Sequence, residues 1–391
     1  MSLIEKLIDP AVQENYYIHY MKRADPQKRK TAAFDEFWKS DEMPRMAQSI
    51  IDGTFELCVP EQIILRGTDR ECYVYQQEQS FMLGFLAYIL KDITDASPGV
   101  YSGGRGGVHG FIVSHMKARK TPGSVVLRTD IRKFTKSIRR DVLIEVQRDL
   151  FKDDPRTFAV LEDFLSRGEY TVKGETFTTE GNIFMGTPLD SYAMNSVFYY
   201  VDRIMSERCI DYARFYDDIA MVISSRKEGE AILETLREEV AKLQLELHPT
   251  KTFFVEGNEP YELLGLVIQG ADVGLSKKMM EGFIAPVRQQ CKAASKMVRR
   301  GQVPGNLALG KAVAALNYYM DMPRIKKMYD PFLECITRVD DLKKFDHTVQ
   351  DWLRVAASGT TSNAKYRITF ADLKAAGYRS TVSLYYQKHN R

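Results

Sequence analysis

Along most of the chain apolar residues recur at helical spacing, but from Ser124 the period changes. SVVLRTDI gathers β-branched and aliphatic residues into a strand-length run ending on Asp130, and FTKSIRRDVLIEVQRDLF behind it predicts a helix. GTPLDSYAMNSVFYYVDRIMSE (186–207) predicts one long helix entered near Pro188. DYARFYDD and IAMVISS predict two strands meeting at Asp217 and Asp218, GEAILETLREEVAKLQLEL (229–247) an amphipathic helix, and KTFFVE and YELLGLVI one strand each. Upstream, the first stretch is mainly helical, with a basic segment (21–30) broken by Pro26. GTFELCVP and ECYVYQ predict a hairpin, and FMLGFLAYILKDI (81–93) a buried helix. The loop SPGVYSGGRGGVHG either brings backbone close to a ligand or is a plain surface turn. Beyond about residue 270 the pattern is mostly helical. Strands and helices alternate, yet the acidic hairpin demands antiparallel pairing, which predicts an α+β core with helices on one face of its sheet.

At 391 residues and 44% hydrophobic content the chain can bury a sizeable core, with length for two or three lobes. A net charge of only +3 puts the weight on where charges lie. Arg288, Lys292, Lys296 and Arg300 recur four apart, a stripe that repels itself until a nucleic-acid backbone neutralises it or water solvates it. Five scattered cysteines and six histidines without metal-binding spacing argue against a disulfide framework and a zinc site. No secretory pattern opens the sequence and no apolar window approaches membrane-spanning length, so the expectation is a cytoplasmic chain with no membrane partner.

The candidate chemistry lies in three carboxylates. If the strand ending at Asp130 neighbours the hairpin carrying Asp217 and Asp218, three negative charges converge unless hard cations such as Mg²⁺ occupy the site. Two such ions activate an attacking 3′-hydroxyl and stabilise a leaving pyrophosphate. The alternative is an Asp-Asp turn, with Asp130 capping the following helix; on these residues alone it is the better supported.

The order of the segments changes that balance. Asp130-Ile131-Arg132-Lys133-Phe134 with Ser137-Ile138, Phe215-Tyr216-Asp217-Asp218, Gly186-Thr187-Pro188 with Asn195, His248 to Thr252, Leu264-Gly265, and the segment from Tyr101 to Gly107 stand in the order of reverse transcriptase motifs. The chain resembles bacterial reverse transcriptases related to group II intron, retron and defence-associated enzymes of the abortive-infection type. The resemblance implies a right-hand polymerase fold: fingers over 1–123, a palm over 124–270 with a fingers insertion near 152–180, and a helical thumb and C-terminal region over 271–391. It implies RNA-directed DNA synthesis from dNTPs with two Mg²⁺ ions, Mn²⁺ being an alternative. The implied partners are an RNA template, a noncoding RNA in the defence reading, the DNA product, and a defence protein or second copy.

Roles follow from the same resemblance. Asp130 and Asp217 ligate both metals, the Ile131 carbonyl assists, and Asp218 supports the site or contacts a metal indirectly. Lys251 stabilises charge or donates a proton at the pyrophosphate. Arg105 meets template backbone, Arg66 or Arg70 the triphosphate, Gly186 the template, and Arg288, Lys292 and Lys296 the nucleic-acid backbone. Asn195 either helps seat the nucleotide or is a polar residue packed within its helix that needs a hydrogen-bond partner. Thr135 stands where the family has an aromatic that screens the sugar, so either selection is weakened or Phe134 takes over. Ile183-Phe184-Met185 replaces a common Pro-Gln pair and Asp190 a small hydroxyl residue, which favours a specialised template or product. Tyr16, Tyr17, Tyr20, Tyr385 and Tyr386 are chemically capable of priming, with packing as their default role. The pattern also carries no expectation of RNase H or endonuclease activity.

Overall fold

Aromatic residues dominate the first part of the chain, and they organise it. The structure, a computed structural model, describes residues 2–24, 29–65, 69–95, 97–103 and 106–389. Helices α1 (Pro10–Arg23), α2 (Arg29–Trp38), α3 (Glu42–Ile51) and α4 (Gln77–Asp95) enclose a core around Phe34, Phe81 and Phe85. Each fully buried ring of this kind contributes about 1.5–3 kcal/mol. Asp9 starts α1 by accepting from the Ala11 and Val12 amides, with Pro10 at the first helical position.

Between α3 and α4 lie strands β1 (Glu61–Ile64) and β2 (Glu71–Val74), an antiparallel pair. The predicted hairpin is present, but GTFELCVP is not its first strand. The Gln79 side chain takes up the Glu56 carbonyl and Cys58 amide, which leaves EQII to pair. Helix α5 (Gly107–Ala118) follows the glycine-rich loop and precedes β3 (Val125–Asp130).

The single helix predicted behind Asp130 is divided into the short α6 (Phe134–Ser137) and α7 (Arg140–Leu150). Ile138 is extended because its carbonyl accepts from the Ile183 amide (3.1 Å), while the Arg140 amide donates to the Gly181 carbonyl (2.8 Å). After α8 (Pro155–Ser166), strands β4 (Glu169–Val172) and β5 (Glu175–Thr178) form a hairpin that joins β1 through a parallel contact, giving the sheet β2-β1-β4-β5.

The long helix predicted over 186–207 is also two, α9 (Asp190–Ser196) and α10 (Tyr199–Ser206). The chain tightens between them, the Phe198 amide bonding the Asn195 carbonyl, and Phe198 turns fully inward against Phe134. Strands β6 (Asp211–Phe215) and β7 (Asp218–Ile223) form the predicted hairpin. Helix α11 (Arg226–Lys242) stops before LQLEL, where Gln244 has a φ of 55° and the chain turns to run beside Ile131. With β8 (Phe253–Val255) the second sheet is complete, antiparallel in the order β6-β7-β3-β8. Leu127, Ile219, Met221 and Ile223 share a core with Val201 and Met205 of α10 and Ile232 and Leu236 of α11.

The chain forms two compact units, Met1–Glu256 and Gly257–Arg391. YELLGLVI, expected as one strand, is two. It forms β9 (Tyr261–Leu263) and β10 (Leu266–Gln269), reversed at Leu264 (φ 51°) and Gly265 (φ 83°), and with β11 (Asp272–Leu275) makes a meander inside the second unit. Helices α12 (Lys277–Arg299), α13 (Gly305–Asp321), α14 (Pro323–Cys335), α15 (Val339–Ser358), α16 (Phe370–Ala375) and α17 (Thr381–His389) complete that unit. The buried Asp346 ties the segment from Gly377 to His389 in place, accepting from the Tyr378 hydroxyl (3.0 Å), the Thr381 hydroxyl (2.8 Å), and the Thr381 (2.9 Å) and Val382 (3.1 Å) amides. Among the described residues no helix is long and apolar enough to cross a membrane.

Candidate active site

Antiparallel pairing sets the site. In the β3–β7 ladder Asp130 lies directly opposite Asp218, and cross-strand partners project to the same face of a sheet. Asp217 occupies the turn next to them, and its carbonyl accepts from the Ile131 amide (3.3 Å). All three acids therefore meet at one end of the sheet. Asp130 is buried, while Asp217 and Asp218 are half-buried.

Such crowding has an electrostatic consequence. Burial, then repulsion from Asp218 and Asp130, holds the Asp217 carboxyl above the usual range. Burial also raises Asp218, with the Arg128 guanidinium opposing it and Asp130 adding to it. Two cations offset the charge. Arg128, two residues before Asp130 and on the same face, pairs with Asp218, and Lys251 Nζ stands 2.9 Å from Asp130 Oδ2. The turn carrying Lys251 is fastened to the same strand: the His248 amide donates to the Asp130 carbonyl (2.7 Å), and the Thr252 and Thr129 hydroxyls are 2.7 Å apart.

Among the described residues no group of three His, Cys, Asp or Glu side chains stands arranged to hold a metal ion. The donor set nevertheless fits hard divalent cations. It consists of carboxylate oxygens whose mutual repulsion is balanced by two protein cations, one of them, Lys251, half-exposed and able to turn away.

Beneath this corner lies a sealed network that the sequence reading did not find. Arg214 of β6 is fully buried and holds Asp202 of α10 through two bonds of 2.7 Å, and the Tyr212 hydroxyl donates to the same carboxylate (2.7 Å). Arg214 Nη1 then donates to the Tyr216 carbonyl (2.9 Å), fixing the turn at Tyr216, whose φ is 56°. The only sequence signal was an arginine between Ala213 and Phe215 in a strand-length run. The Arg214 main chain also pairs with the start of the glycine-rich loop, its amide donating to the Gly99 carbonyl (2.8 Å) and its carbonyl accepting from the Tyr101 amide (2.9 Å). At Gly99, φ is 72° and an added Cβ would collide with Tyr212, so no other residue fits.

The remaining predicted residues separate into surface and interior. Asn195 is buried, not presented to a ligand: its Oδ1 accepts from the Ser102 hydroxyl (2.7 Å) and from Arg214 (3.4 Å), joining α9 to the loop. Phe134 is likewise in the core, so it cannot replace the missing aromatic, and Thr135 is the exposed side chain at that position. Gly186 is exposed with φ 93°, and an added Cβ would stand 2.6 Å from that of Cys72. Asp190 closes the loop at Gly186, accepting from the Gly186 amide and from the amide (3.1 Å) and hydroxyl (2.7 Å) of Thr187; burial lifts its carboxyl to about 6. Phe184 packs on Tyr73, their centroids 4.5 Å apart, and the Met185 carbonyl accepts from the Tyr73 amide (2.7 Å). In the second unit Arg288 is paired with Glu281 (2.5 Å), and both Arg288 and Lys292 lie against Trp352. Lys296 lies one turn further along α12, where it is exposed. Arg66 and Arg105 lie outside the described residues.

The family model described as reverse transcriptase (RNA-dependent DNA polymerase) matches residues 72–268, just over half of the chain. No curated protein matches in sequence. Among solved structures the chain is similar to apo telomerase from Candida tropicalis (11% identity, 85% of this chain and 66% of that one, TM-score 0.46). It is also similar to telomerase from Candida albicans in complex with a TWJ fragment of telomeric RNA (10%, 83% and 67%, TM-score 0.45). A third is apo telomerase from Candida tropicalis truncated from the C-terminal domain (14%, 56% and 54%, TM-score 0.45), of which this chain spans about half. The matched segment runs from β2 to β10 and contains Asp130, Asp217, Asp218 and Lys251, and the fold is a mixture of helices and mainly antiparallel sheets: the chain belongs to the reverse transcriptase family.

Proposed function

We propose that this chain is an RNA-directed DNA polymerase that adds deoxynucleotides to a 3′-hydroxyl at the corner formed by Asp130, Asp217 and Asp218. The observation that carries the reading is the ladder pairing of Asp130 with Asp218, with Asp217 beside them in the turn. Asp130 and Asp217, with the Ile131 carbonyl, would hold two divalent cations, Mg²⁺ or Mn²⁺, which supply the charge that activates the hydroxyl and offsets the pyrophosphate. Lys251 reaches Asp130 from a half-exposed position, so its ammonium is available to stabilise charge, or deliver a proton, on the leaving group. Arg128 pairs with Asp218 and opposes the burial that raises its carboxyl, and Arg214 keeps the turn in register.

The finer reading is a specialised polymerase of antiphage defence that copies a dedicated noncoding RNA. Its support is the altered segment before the template-contacting helix. Phe184 and Met185 are engaged by Tyr73, and Asp190 bonds its own loop where a small hydroxyl residue is usual. The test begins with the full chain purified together with its bound nucleic acid, supplied with labelled dNTPs and Mg²⁺, and ends with sequencing of the product. A discrete DNA copied from one RNA, and absent in Asp217→Asn, supports the proposal. Synthesis persisting in that variant would assign the activity elsewhere. Phage plating on cells carrying either version separates the defence role from the chemistry.

A further inference from the structure

The first unit holds a second feature that the catalytic corner does not use. A cavity of about 490 Å³ opens between α1, α2 and α4, within the ~300–1,000 Å³ typical of ligand sites. Two helices line it with the same progression at helical spacing, Tyr16, Tyr20 and Arg23 on α1 and Gly84, Tyr88 and Lys91 on α4; Lys30 of α2 adds a third cation. No described lining residue is acidic, and none of Arg23, Lys30 and Lys91 is ion-paired with a described carboxylate.

The aromatics divide into floor and wall. Tyr16 is buried and stacks on Phe85 at 4.9 Å, so it belongs to the core. Gly84 keeps the floor open, since a Cβ there would stand 2.7 Å from the Tyr16 hydroxyl oxygen. Tyr20 and Tyr88 are half-buried, and Lys91 Nζ lies 4.2 Å from the centre of the Tyr88 ring. Among the described residues Arg23 is held only by the His19 ring (2.8 Å), also in the lining. Half-buried aromatic rings beside cations with no described carboxylate partner have the composition of a surface that stacks bases and neutralises the phosphates linking them.

We propose that this groove binds a segment of single-stranded nucleic acid, a base stacking on Tyr88 and successive phosphates meeting Arg23, Lys30 and Lys91. Three cations placed on three helices suit a strand with phosphates in series better than a free nucleotide with one phosphate site. The inference goes beyond the polymerase reading and does not depend on it.

The test uses full chain carrying Asp217→Asn, so that binding is read without synthesis, and photo-crosslinks it to RNA and DNA oligonucleotides of about 12 nucleotides bearing 4-thiouridine or 4-thiothymidine. Crosslinked peptides from α1 or α4 are expected, and the oligonucleotide giving the higher yield identifies the strand. Tyr88→Ala should lower that yield about 5- to 100-fold while Tyr88→Phe keeps it. The combined variant Arg23→Ser, Lys30→Ser, Lys91→Ser should reduce the slope of log affinity against log salt by about 2, a change that a folding defect does not reproduce. Crosslinks confined to other segments, yields unchanged in Tyr88→Ala, or an unchanged salt slope would overturn the proposal. Displacement of the oligonucleotide by AMP or dAMP at matched phosphate concentration would overturn it as well, showing a mononucleotide pocket. Failure of DNA synthesis in the parent chain, with these crosslinks retained, would count against the polymerase reading alone.

Discussion

Two sets of aspartate–cation pairs are anchored on the same sheet and differ in how they are buried. Asp202 and Arg214 are both completely buried, joined by two short bonds and a tyrosine hydroxyl. Asp218 with Arg128 and Asp130 with Lys251 lie at the end of the neighbouring strands that carries the three acids; Arg128 and Asp130 are buried and Asp218 is half-buried, whereas Lys251 is about half exposed. A sealed pair cannot exchange partners without leaving a charge unsolvated, so it serves as scaffold. Lys251 can leave Asp130 for solvent, which suits the proposal that this site accepts ions and a triphosphate. The difference lies in burial, since the chemical groups are nearly the same.

The sharpest way to break the comparison is to neutralise one acid of each set. Asp217→Asn or Asp130→Asn should abolish nucleotide addition by about 10³-fold or more while leaving the melting temperature unchanged or slightly raised, since burial and repulsion already disfavour the charge at Asp217. Asp202→Ala should instead destabilise the fold by about 3–5 kcal/mol in guanidinium titration, because it strands the Arg214 charge in the interior. If Asp202→Ala were as stable as the parent, the scaffold role would fall.

These two sets also mark how far the sequence could be read. The acidic hairpin, the strand ending at Asp130 and the lysine after His248 were legible because each is a local pattern with a spacing of its own. Arg214 was not, as its partners Asp202 and Asn195 lie 12 and 19 positions away and Ser102 joins them from the glycine-rich loop. For the same reason the break at Ile138 was hidden: residues from Phe134 to Leu150 have helical spacing, and only the distant pairing with Gly181 to Ile183 interrupts them. For Asn195 the sequence left open a nucleotide contact or a packed polar residue in need of a partner, and its burial and bonds to Ser102 and Arg214 are those of the second; Phe134, a candidate stand-in for the sugar screen, is buried too.

A smaller effect is expected at Thr135, exposed where the family has an aromatic. Thr135→Phe should raise the preference for dNTP over rNTP by about 10- to 100-fold in single-nucleotide incorporation. Equal discrimination before and after the change would show that the sugar is sensed elsewhere.

Asp190 supplies the smallest effect and an intermediate case, a carboxylate without a cation. Its folded value near 6 lies above the ordinary 3.8, so the folded state retains a proton that the unfolded chain releases between those values. Stability should therefore be highest below about pH 4 with respect to this group, fall as pH rises toward 6, and stay lower above it. The loss should be about 1 kcal/mol after allowance for partial exposure, and Asp190→Asn should flatten it in denaturation measured from pH 4 to 7. An unaltered profile would mean that the Gly186 and Thr187 donors fully offset burial.

The most direct test of the catalytic corner is Mn²⁺ binding followed by electron paramagnetic resonance, in a complex of the full chain with RNA template, a dideoxy-terminated primer and a dNTP. The parent chain should take up about two ions, and Asp130→Asn at most one, held weakly. Equal uptake by both, in proteins that melt alike, would contradict the shared role assigned to Asp130 and Asp217.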